Sequence, residues 1–175
     1  MAGKTFNITT ARGELILTEN SHTDDAEYAY TNGQCIALSL ALHEATDWPI
    51  VAHLSRAGNP EWEMRTHGRH ITKDDATDGW FYYFVHSLAQ SPEGWLIDIR
   101  GEHDAEDYRN GAYYDYGTCA LVTVDPDALQ LALADARKNG AVHMEQNMDA
   151  AASFAKILLA DYERERARLG LANRG

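Results

Sequence analysis

The amino-acid sequence predicts an α+β fold, in which a buried cysteine-bearing helix near the N-terminus packs on an antiparallel sheet and further helices follow at the C-terminus. Three observations predict it: an apolar run at residues 36–42, β-prone runs between residues 50 and 124, and helical patterns beyond residue 125. Helices and strands thus occur in blocks, unlike alternating βαβ units. With 175 residues and 45% apolar residues, we expect a single domain over residues 1–175.

The first elements are an extended segment and a helix. Residues 5–18 are predicted to be extended, with a strand over Glu14–Leu17, and the acidic residues 19–30 to form a loop or a short helix. A helix is expected from about Gly33 to Thr46, and its apolar residues on nearly every side indicate burial all round. The helix is predicted to end at Asp47-Trp48-Pro49, because proline and the residue before it disfavour a helix.

The middle of the chain contains strand patterns. A short strand is predicted over Pro49–Leu54, whereas the polar residues 55–79 show no clear period. The aromatic run Trp80–Ala89, the turn Gln90–Gly94 and the run Trp95–Arg100 together predict a β-hairpin.

The last third of the chain begins without a clear pattern. Residues 101–117 are acidic and rich in tyrosine, and Thr118–Val124 predicts another strand. A helix is expected over about residues 125–138, because an aspartate suits its N-cap and Pro126 its first position. A final helix is expected over about residues 144–169, with its charged end facing solvent.

Composition limits the classes of partner. The chain carries 27 acidic and 15 basic side chains, a net charge of −12, so neither nucleic acid nor an anionic membrane is expected as the main partner. We expect no signal peptide and no membrane span, because no apolar run has the necessary length. Two cysteines do not make a disulfide framework. We therefore expect a cytoplasmic protein with free thiols.

The most informative junction joins Asn32-Gly33-Gln34-Cys35 to the apolar helix. Unpaired amides and the dipole at a helix N-terminus favour a thiolate, which is the nucleophilic form of cysteine. With the predicted five-residue turn of the hairpin, Ala89 pairs with Trp95, and His86 lies directly opposite Asp98 within hydrogen-bond reach. A register slip of one residue would place these two side chains on opposite faces.

A cysteine, a histidine and an aspartate in this chain order are expected of a cysteine hydrolase. Cys35 would attack a carbonyl or amide carbon, and His86 would hold the thiol proton and deliver it to the leaving group. Asp98 would orient the imidazole and stabilise its charge. The backbone amide of Cys35, with the side chain of Gln34 or Asn32, is the predicted oxyanion site.

The same residues also have structural interpretations. A cysteine in an apolar helix is often only a packing residue, and a histidine in an aromatic strand is often structural. Asp98 could cap a turn or pair with Arg100, and Asp104 or Asp107 could orient the histidine in its place. Cys119 is the competing thiol, but its position in a predicted strand favours core packing.

At these residues the chain resembles the papain-like superfamily of cysteine hydrolases, including its transglutaminase-like branch. The resemblance rests on Gly33-Gln34-Cys35 opening a buried helix, followed by Val85-His86-Ser87 and Leu96-Ile97-Asp98 on consecutive strands. It covers about residues 30–100 and implies that the cysteine helix packs on an antiparallel sheet, with Cys35 as nucleophile, His86 as base and Asp98 as orienter. Leu88 stands where transglutaminase-like proteins commonly carry a tryptophan. The substrate class therefore stays open among peptidases, amidases, deamidases and acyl-transfer enzymes.

Three further groups of residues have weaker signals. His67 and His70, with His86 or an aspartate, could ligate zinc, but no cysteine or glutamate partner has a standard spacing, so a solvated loop is favoured. Trp80 is a candidate for lining a substrate groove, although strand alternation sends half of its aromatic run into the core. Four tyrosines lie in an acidic loop: Tyr108, Tyr113, Tyr114 and Tyr116. This loop could cover a cleft, or its tyrosines could only pack within the loop.

The first hypothesis is therefore a papain-like cysteine hydrolase that acts on a peptide bond or a side-chain amide of a peptide or protein substrate. It needs no cofactor and no metal, and the small size of the chain and its lack of a secretion signal suggest, by analogy, a bacterial or phage accessory protein. The alternative is a non-catalytic binding or regulatory protein on the same fold, in which Cys35 is a core residue. A regulatory protein encoded by a phage or a mobile element would fit this class.

Overall fold

The computed structural model describes residues 3–10, 12–57, 81–109, 119–127, 129–130 and 145–171. The strands are β1 (Thr5–Thr10), β2 (Gly13–Thr18), β3 (Ile50–Ala57), β4 (Phe81–Gln90), β5 (Leu96–Asp98), β6 (Gly101–His103) and β7 (Cys119–Val124). The helices are α1 (Asp24–Thr31), α2 (Cys35–Thr46), α3 (Ala105–Arg109) and α4 (Met148–Arg168).

Five of the strands form one antiparallel sheet in the order β6-β5-β4-β3-β7. β1 and β2 pair with each other in a separate antiparallel hairpin. One apolar cluster joins residues of this hairpin to α1, α2, α4 and the sheet. The prediction of an α+β chain with an antiparallel sheet is therefore confirmed.

The cysteine-bearing helix α2 lies in the core. Its residues from Cys35 to Leu42 are all buried, which fits its apolar sequence, and it packs against β4 and α4. It begins at Cys35 rather than near Gly33, because Gly33 has a φ of 128°, which no helix allows. Asp47, in the left-handed region, ends it by donating its amide to the His43 carbonyl at 2.8 Å.

The C-terminal helix α4 closes over the cluster that contains α2. Asn147 caps it, because its side-chain oxygen accepts a hydrogen bond from the Ala150 amide at 3.0 Å. Near the other end, the buried Arg166 donates to Glu102 of β6 at 2.7 Å and so connects the helix to the edge of the sheet. No helix among the described residues has both the length and the apolar character needed to cross a bilayer.

The β4–β5 hairpin forms in a different register from the predicted one. Ala89 pairs with Ile97 rather than with Trp95, so Asp98 lies diagonal to His86 instead of directly opposite it. The observed register differs from the predicted one by two residues. Because side chains alternate with a period of two, His86 and Asp98 still lie on the same face of the sheet.

The hairpin loop explains the register. The Ser91 amide donates to the Trp95 carbonyl at 2.8 Å, and the Ser91 hydroxyl accepts from the Trp95 amide at 3.3 Å. These bonds close a loop over residues 91–95, one residue later than the turn that the proline and glycine of this segment predicted. The strands then continue with the pair Gln90 and Leu96.

Two short elements, β6 and α3, occupy a stretch to which the sequence assigned none. Gly101 has a φ of 105°, and this left-handed conformation makes the tight turn that brings Gly101 beside Asp98 and His103 beside Leu96. Elements this short have no measurable hydrophobic period. Residues 126–127 and 129–130 are helical, as predicted, and the rest of the helix expected up to residue 138 lies outside the described residues.

Candidate functional site

Cys35 is the first residue of α2 and lies at its positive end. Its side chain is only 5% exposed and packs in a small cluster with Ile36 and Leu40 of the same helix, Ile50 of β3 and Leu129. The helix start is held by Gln146, whose side-chain oxygen accepts from the Ala37 amide at 2.9 Å and whose nitrogen donates to the Gly33 carbonyl. The cysteine is therefore fixed by bonds made from a distant part of the chain.

A β-bulge shapes β4 next to Cys35. His86 pairs with His53 of β3, but the next pair joins Phe84 to Leu54, so Val85 is an extra residue. Phe84 packs against the cluster of Cys35, and Ser87 is close enough to help lower the pKa of the cysteine. Bulges re-aim side chains in this way, and here the bulge lies where the strand meets the cysteine.

His86 connects the cysteine to Asp98. Its Nε2 lies 3.0 Å from Asp98 Oδ2, and both side chains are almost fully buried, at 1% and 2% exposure. Because a carboxylate only accepts hydrogen bonds, Nε2 carries a hydrogen. The other ring nitrogen, Nδ1, is then the one through which His86 would exchange a proton with Cys35, and the two groups interact electrostatically. The three predicted catalytic side chains therefore interact in sequence, Asp98 by a hydrogen bond to His86 and His86 by its charge on Cys35, and we call them the triad.

Asp98 is held by two further donors. The ring of His103 donates from Nε2 to Asp98 Oδ1 at 2.8 Å, and the Arg100 amide donates to the same oxygen at 2.8 Å. Burial raises the pKa of Asp98, but the hydrogen bonds from His103 and His86 and their charges outweigh it and hold that pKa well below its usual range. The carboxylate is therefore ionised.

The cysteine and histidine shift each other's ionisation. Burial raises the pKa of Cys35, but the positive charge of His86 and hydrogen bonds from His86 and Ser87 overcome it and lower that pKa. Burial lowers the pKa of His86, but the charge of Cys35 and the bonds to Asp98 and Cys35 raise it to about 9. Opposite shifts in two interacting groups favour the ion pair of a thiolate and an imidazolium over the neutral pair.

A second histidine, His53, lies beside His86 on β3 and has the opposite ionisation. Its side chain is buried and stands edge-on to the ring of Tyr108, 5.2 Å between centroids. Burial and the positive charge of His86 lower the pKa of His53 to about 4, so it is neutral at physiological pH. The neutral His53 therefore lies next to the charged His86.

The residues predicted for the oxyanion site have other partners. Gln34 is fully buried, and its amide nitrogen donates to the carbonyls of Thr9 and Glu145 at 3.3 and 2.8 Å while its oxygen accepts from the Asn147 amide at 3.0 Å. Gln34 therefore holds the helix start rather than offering a free donor.

Asn32 is also turned away from an oxyanion. Its side chain donates to the Tyr28 carbonyl at 3.0 Å and to the Thr31 hydroxyl at 2.9 Å, both on α1. Trp80 lies outside the described residues, as do His67, His70 and the tyrosines beyond Tyr108. Of the predicted oxyanion donors within the described ranges, the backbone amide of Cys35 is the one left.

Several residues of the site were missed by the sequence analysis. His103 lies on the three-residue strand β6, and Gly101, just before it, was the available signal for a tight turn that returns the chain to Asp98. Ser39 and Ser87 had no signal, because their contact joins a helix to a strand 48 residues away. Asp104, proposed as an alternative orienter, instead accepts from the amides of Glu106 and Asp107 at the start of α3.

Among the described residues, no group of three histidine, cysteine or acidic side chains is arranged to hold a metal ion. Cys119 lies on β7, and its side chain is not among those described. The chain matches no protein-family model, and neither the curated proteins nor the solved structures contain a significant match to it.

Proposed function

We propose that this chain is a cysteine hydrolase of the papain-like type, which cleaves an amide bond of a peptide or protein substrate through Cys35, His86 and Asp98. The observation that carries the proposal is the buried bond between His86 and Asp98, with Nε2 and Oδ2 3.0 Å apart, in a histidine whose charge acts on Cys35 at the start of α2. The paired pKa shifts of Cys35 and His86 support it, because they favour the reactive thiolate.

The chemistry proposed for the triad proceeds in two stages. The Cys35 thiolate attacks the carbonyl carbon, and when the tetrahedral intermediate collapses, Nδ1 of His86 gives its proton to the leaving amine. A thioester on Cys35 remains. Neutral His86 then takes a proton from water as the oxygen attacks the thioester, and the acid product leaves as the thiolate and imidazolium form again. Asp98 accepts from Nε2 throughout and keeps the ring in this orientation.

The oxyanion donor that we propose is the Cys35 amide. It belongs to the first turn of α2, where amides have no partner within the helix. The side-chain oxygen of Gln146 accepts from the Ala37 amide, whereas among the described residues no acceptor is hydrogen-bonded to the Cys35 amide. The helix dipole adds to the stabilisation of negative charge at this end.

One observation favours a second candidate, a binding or regulatory protein that does not catalyse a reaction. All three triad side chains are buried, with Cys35 at 5%, His86 at 1% and Asp98 at 2% exposure. A buried polar network of this kind can also serve to specify a unique core.

Alkylation of Cys35 separates the two candidates. We would measure the rate of iodoacetamide labelling at neutral pH in a Cys119→Ser background, assign the site by mass spectrometry, and compare His86→Ala with a control, His43→Ala. His43 lies at the opposite end of the same helix, where its Nδ1 contacts the Trp48 carbonyl at 2.8 Å. The hydrolase predicts rapid labelling that falls at least about tenfold in His86→Ala and is unchanged in His43→Ala.

Turnover is tested on the same samples. A panel of peptide amides, scored by release of amine or ammonia, should yield product with the parent protein and none with Cys35→Ser. Slow labelling that is indifferent to His86→Ala, in samples with parental circular dichroism, would refute the hydrolase and leave the binding protein.

A further inference from the structure

His103 is a buried histidine bonded to Asp98, and the proposed reaction gives it no step. It is the last residue of β6, and its Nε2 donates to Asp98 Oδ1 at 2.8 Å. Its side chain is buried, and its ring lies edge-on to the ring of Tyr108 on α3, with 5.8 Å between the centroids. The packing of this ring therefore presents its donor to Asp98 in one direction.

The two oxygens of Asp98 have separate partners. Oδ2 accepts from His86 Nε2 at 3.0 Å, whereas Oδ1 accepts from His103 Nε2 and from the Arg100 amide, each at 2.8 Å. The terminal torsion of an aspartate is broad and two-fold, so the bond to the amide two residues on can be made by either oxygen and leaves the plane of the carboxylate free to turn. A second donor on Oδ1, from the neighbouring strand, removes that freedom and keeps Oδ2 directed at His86.

This support matters most while His86 is neutral. In the proposed reaction His86 gives its proton to the leaving amine and stays neutral until the thioester is hydrolysed. A neutral ring is a weaker donor than an imidazolium, so its own bond to Oδ2 weakens at this stage. The two bonds to Oδ1 do not depend on the charge of His86, and they hold the carboxylate in place until the ring is charged again.

We propose that His103 is a positioning residue that fixes the plane of the Asp98 carboxylate and so keeps Oδ2 directed at His86 while that ring changes its charge. His103 acts through Asp98 rather than on the substrate. The role rests on the proposed function only in that His86 loses and regains a proton during the reaction.

The pKa of His86 reports on this orientation, because the bond to Asp98 raises it. Among the described residues, titratable side chains lie around His86 or behind its neighbours on five elements: Cys35 of α2, His53 of β3, Asp98 of β5, His103 of β6 and Tyr108 of α3. The charge of Cys35 also raises the pKa of His86, and a Cys35→Ser background removes it. His53 is neutral above about pH 4.

The direction of the change in the pKa of His86 separates positioning from the simple loss of a donor. An aspartate with one donor fewer is a stronger acceptor, so a carboxylate that stayed in place without His103 would raise the pKa of His86. A carboxylate that turns away loses its bond to His86 and lowers that pKa. Positioning by His103 therefore predicts a fall when the donor is removed.

The test is an NMR titration of the His86 ring nitrogens in the full chain with Cys35→Ser. His103→Leu fills the site without a donor and should lower the pKa of His86 by about one pH unit. His103→Gln should restore the parental pKa, because its amide nitrogen can take the place of the histidine Nε2. With Cys35 intact, His103→Leu should lower kcat on the peptide amides about tenfold and leave KM unchanged, since His103 acts through Asp98.

Each result decides the proposal. In samples with parental circular dichroism, an unchanged or raised pKa of His86 in His103→Leu overturns the positioning role, and so does a fall that His103→Gln fails to reverse. If His103→Leu does not fold, His103→Asn replaces it, because its amide is one methylene too short to reach Asp98. A fall in the pKa of His86 without cleavage of any amide supports the positioning of Asp98 and refutes the hydrolase alone. Cleavage by the parent, with no change in the pKa of His86 in His103→Leu, refutes the positioning role alone.

Discussion

Asp98 and Cys35 are both buried acids in contact with His86, yet their surroundings differ. Asp98 accepts hydrogen bonds from three separate groups, the rings of His86 and His103 and the Arg100 amide, at 2.8–3.0 Å. Cys35 instead packs in a cluster of apolar side chains, and His86 and Ser87 are the polar groups that lower its pKa.

This difference in hydrogen-bond donors means that the charge on Asp98 is permanent, whereas the charge on Cys35 is conditional on its neighbours. Three donors on three different residues keep Asp98 ionised, whatever happens to any one of them. The charge on Cys35 instead depends mainly on one imidazole. We therefore expect folding stability to depend on the Asp98 end of the triad and thiol reactivity to depend on the Cys35 end.

The largest expected effect is that of Asp98→Ala on stability. This change leaves the rings of His86 and His103 and the Arg100 amide without their shared acceptor inside the protein. Removing one partner of a buried ionic network costs about 3–5 kcal/mol. Urea unfolding followed by circular dichroism would measure it, with an unchanged m-value indicating that the unfolded state is unaffected.

Asp104→Ala is the matched control for Asp98→Ala. Asp104 is an exposed aspartate whose carboxylate accepts from the Glu106 and Asp107 amides at the start of the short helix α3. Its loss should cost about 1 kcal/mol, as for other helix caps. Similar losses of unfolding free energy in the two variants would show that Asp98 contributes no more to stability than an exposed helix cap does.

The next effect in size is the acid sensitivity caused by His53. Burial and the charge of His86 lower its pKa to about 4, whereas an unfolded chain takes up this proton near pH 6.5. Between these values the unfolded state binds more protons, so stability is fully present above about pH 6.5 and falls as the pH drops toward 4. The loss amounts to about 3 kcal/mol over that range.

Unfolding free energies of the parent and His53→Phe, measured from pH 7 to 4.5, test this sensitivity. The aromatic replacement keeps the edge-on contact with Tyr108 and removes the titrating group. We expect a flatter pH dependence in His53→Phe. Parallel curves for the parent and His53→Phe would mean that another group causes the acid sensitivity. Asp98 is not expected to cause it in this range, because its pKa lies well below the usual range and its contribution is lost only at lower pH.

The contrast between the two ends also explains what the sequence could predict. Cys35 stands out in the sequence because its helix is a long apolar run after a turn, and both signals are local. His86 and Asp98 were found because they lie on one hairpin, and the alternation of strands preserved their shared face although the register was two residues off.

The supporting residues could not be found in this way. His103 reaches Asp98 only because a tight turn at Gly101 folds a three-residue strand back along β5. Gln34 and Gln146 hold the start of α2 through bonds to residues more than 100 positions away, which no local pattern encodes. The bulge at Val85 also depends on pairing with β3. Local patterns thus predicted the residues of the triad, while tertiary pairing determined what holds them.

The smallest expected effect is that of Cys35→Ala on stability, and it tests the Cys35 end directly. The change removes one sulfur from a packed cluster, but it also removes a buried charge whose desolvation opposes folding. We expect a net loss of about 1 kcal/mol or less, together with a fall in the pKa of His86, which the thiolate raises in the parent. Leu40→Ala, in the same helix and cluster, should cost about 2–5 kcal/mol and serves as the control for packing. If Cys35→Ala were as damaging as Asp98→Ala, the cysteine would be a structural residue, and the distinction between a permanent and a conditional charge would fail.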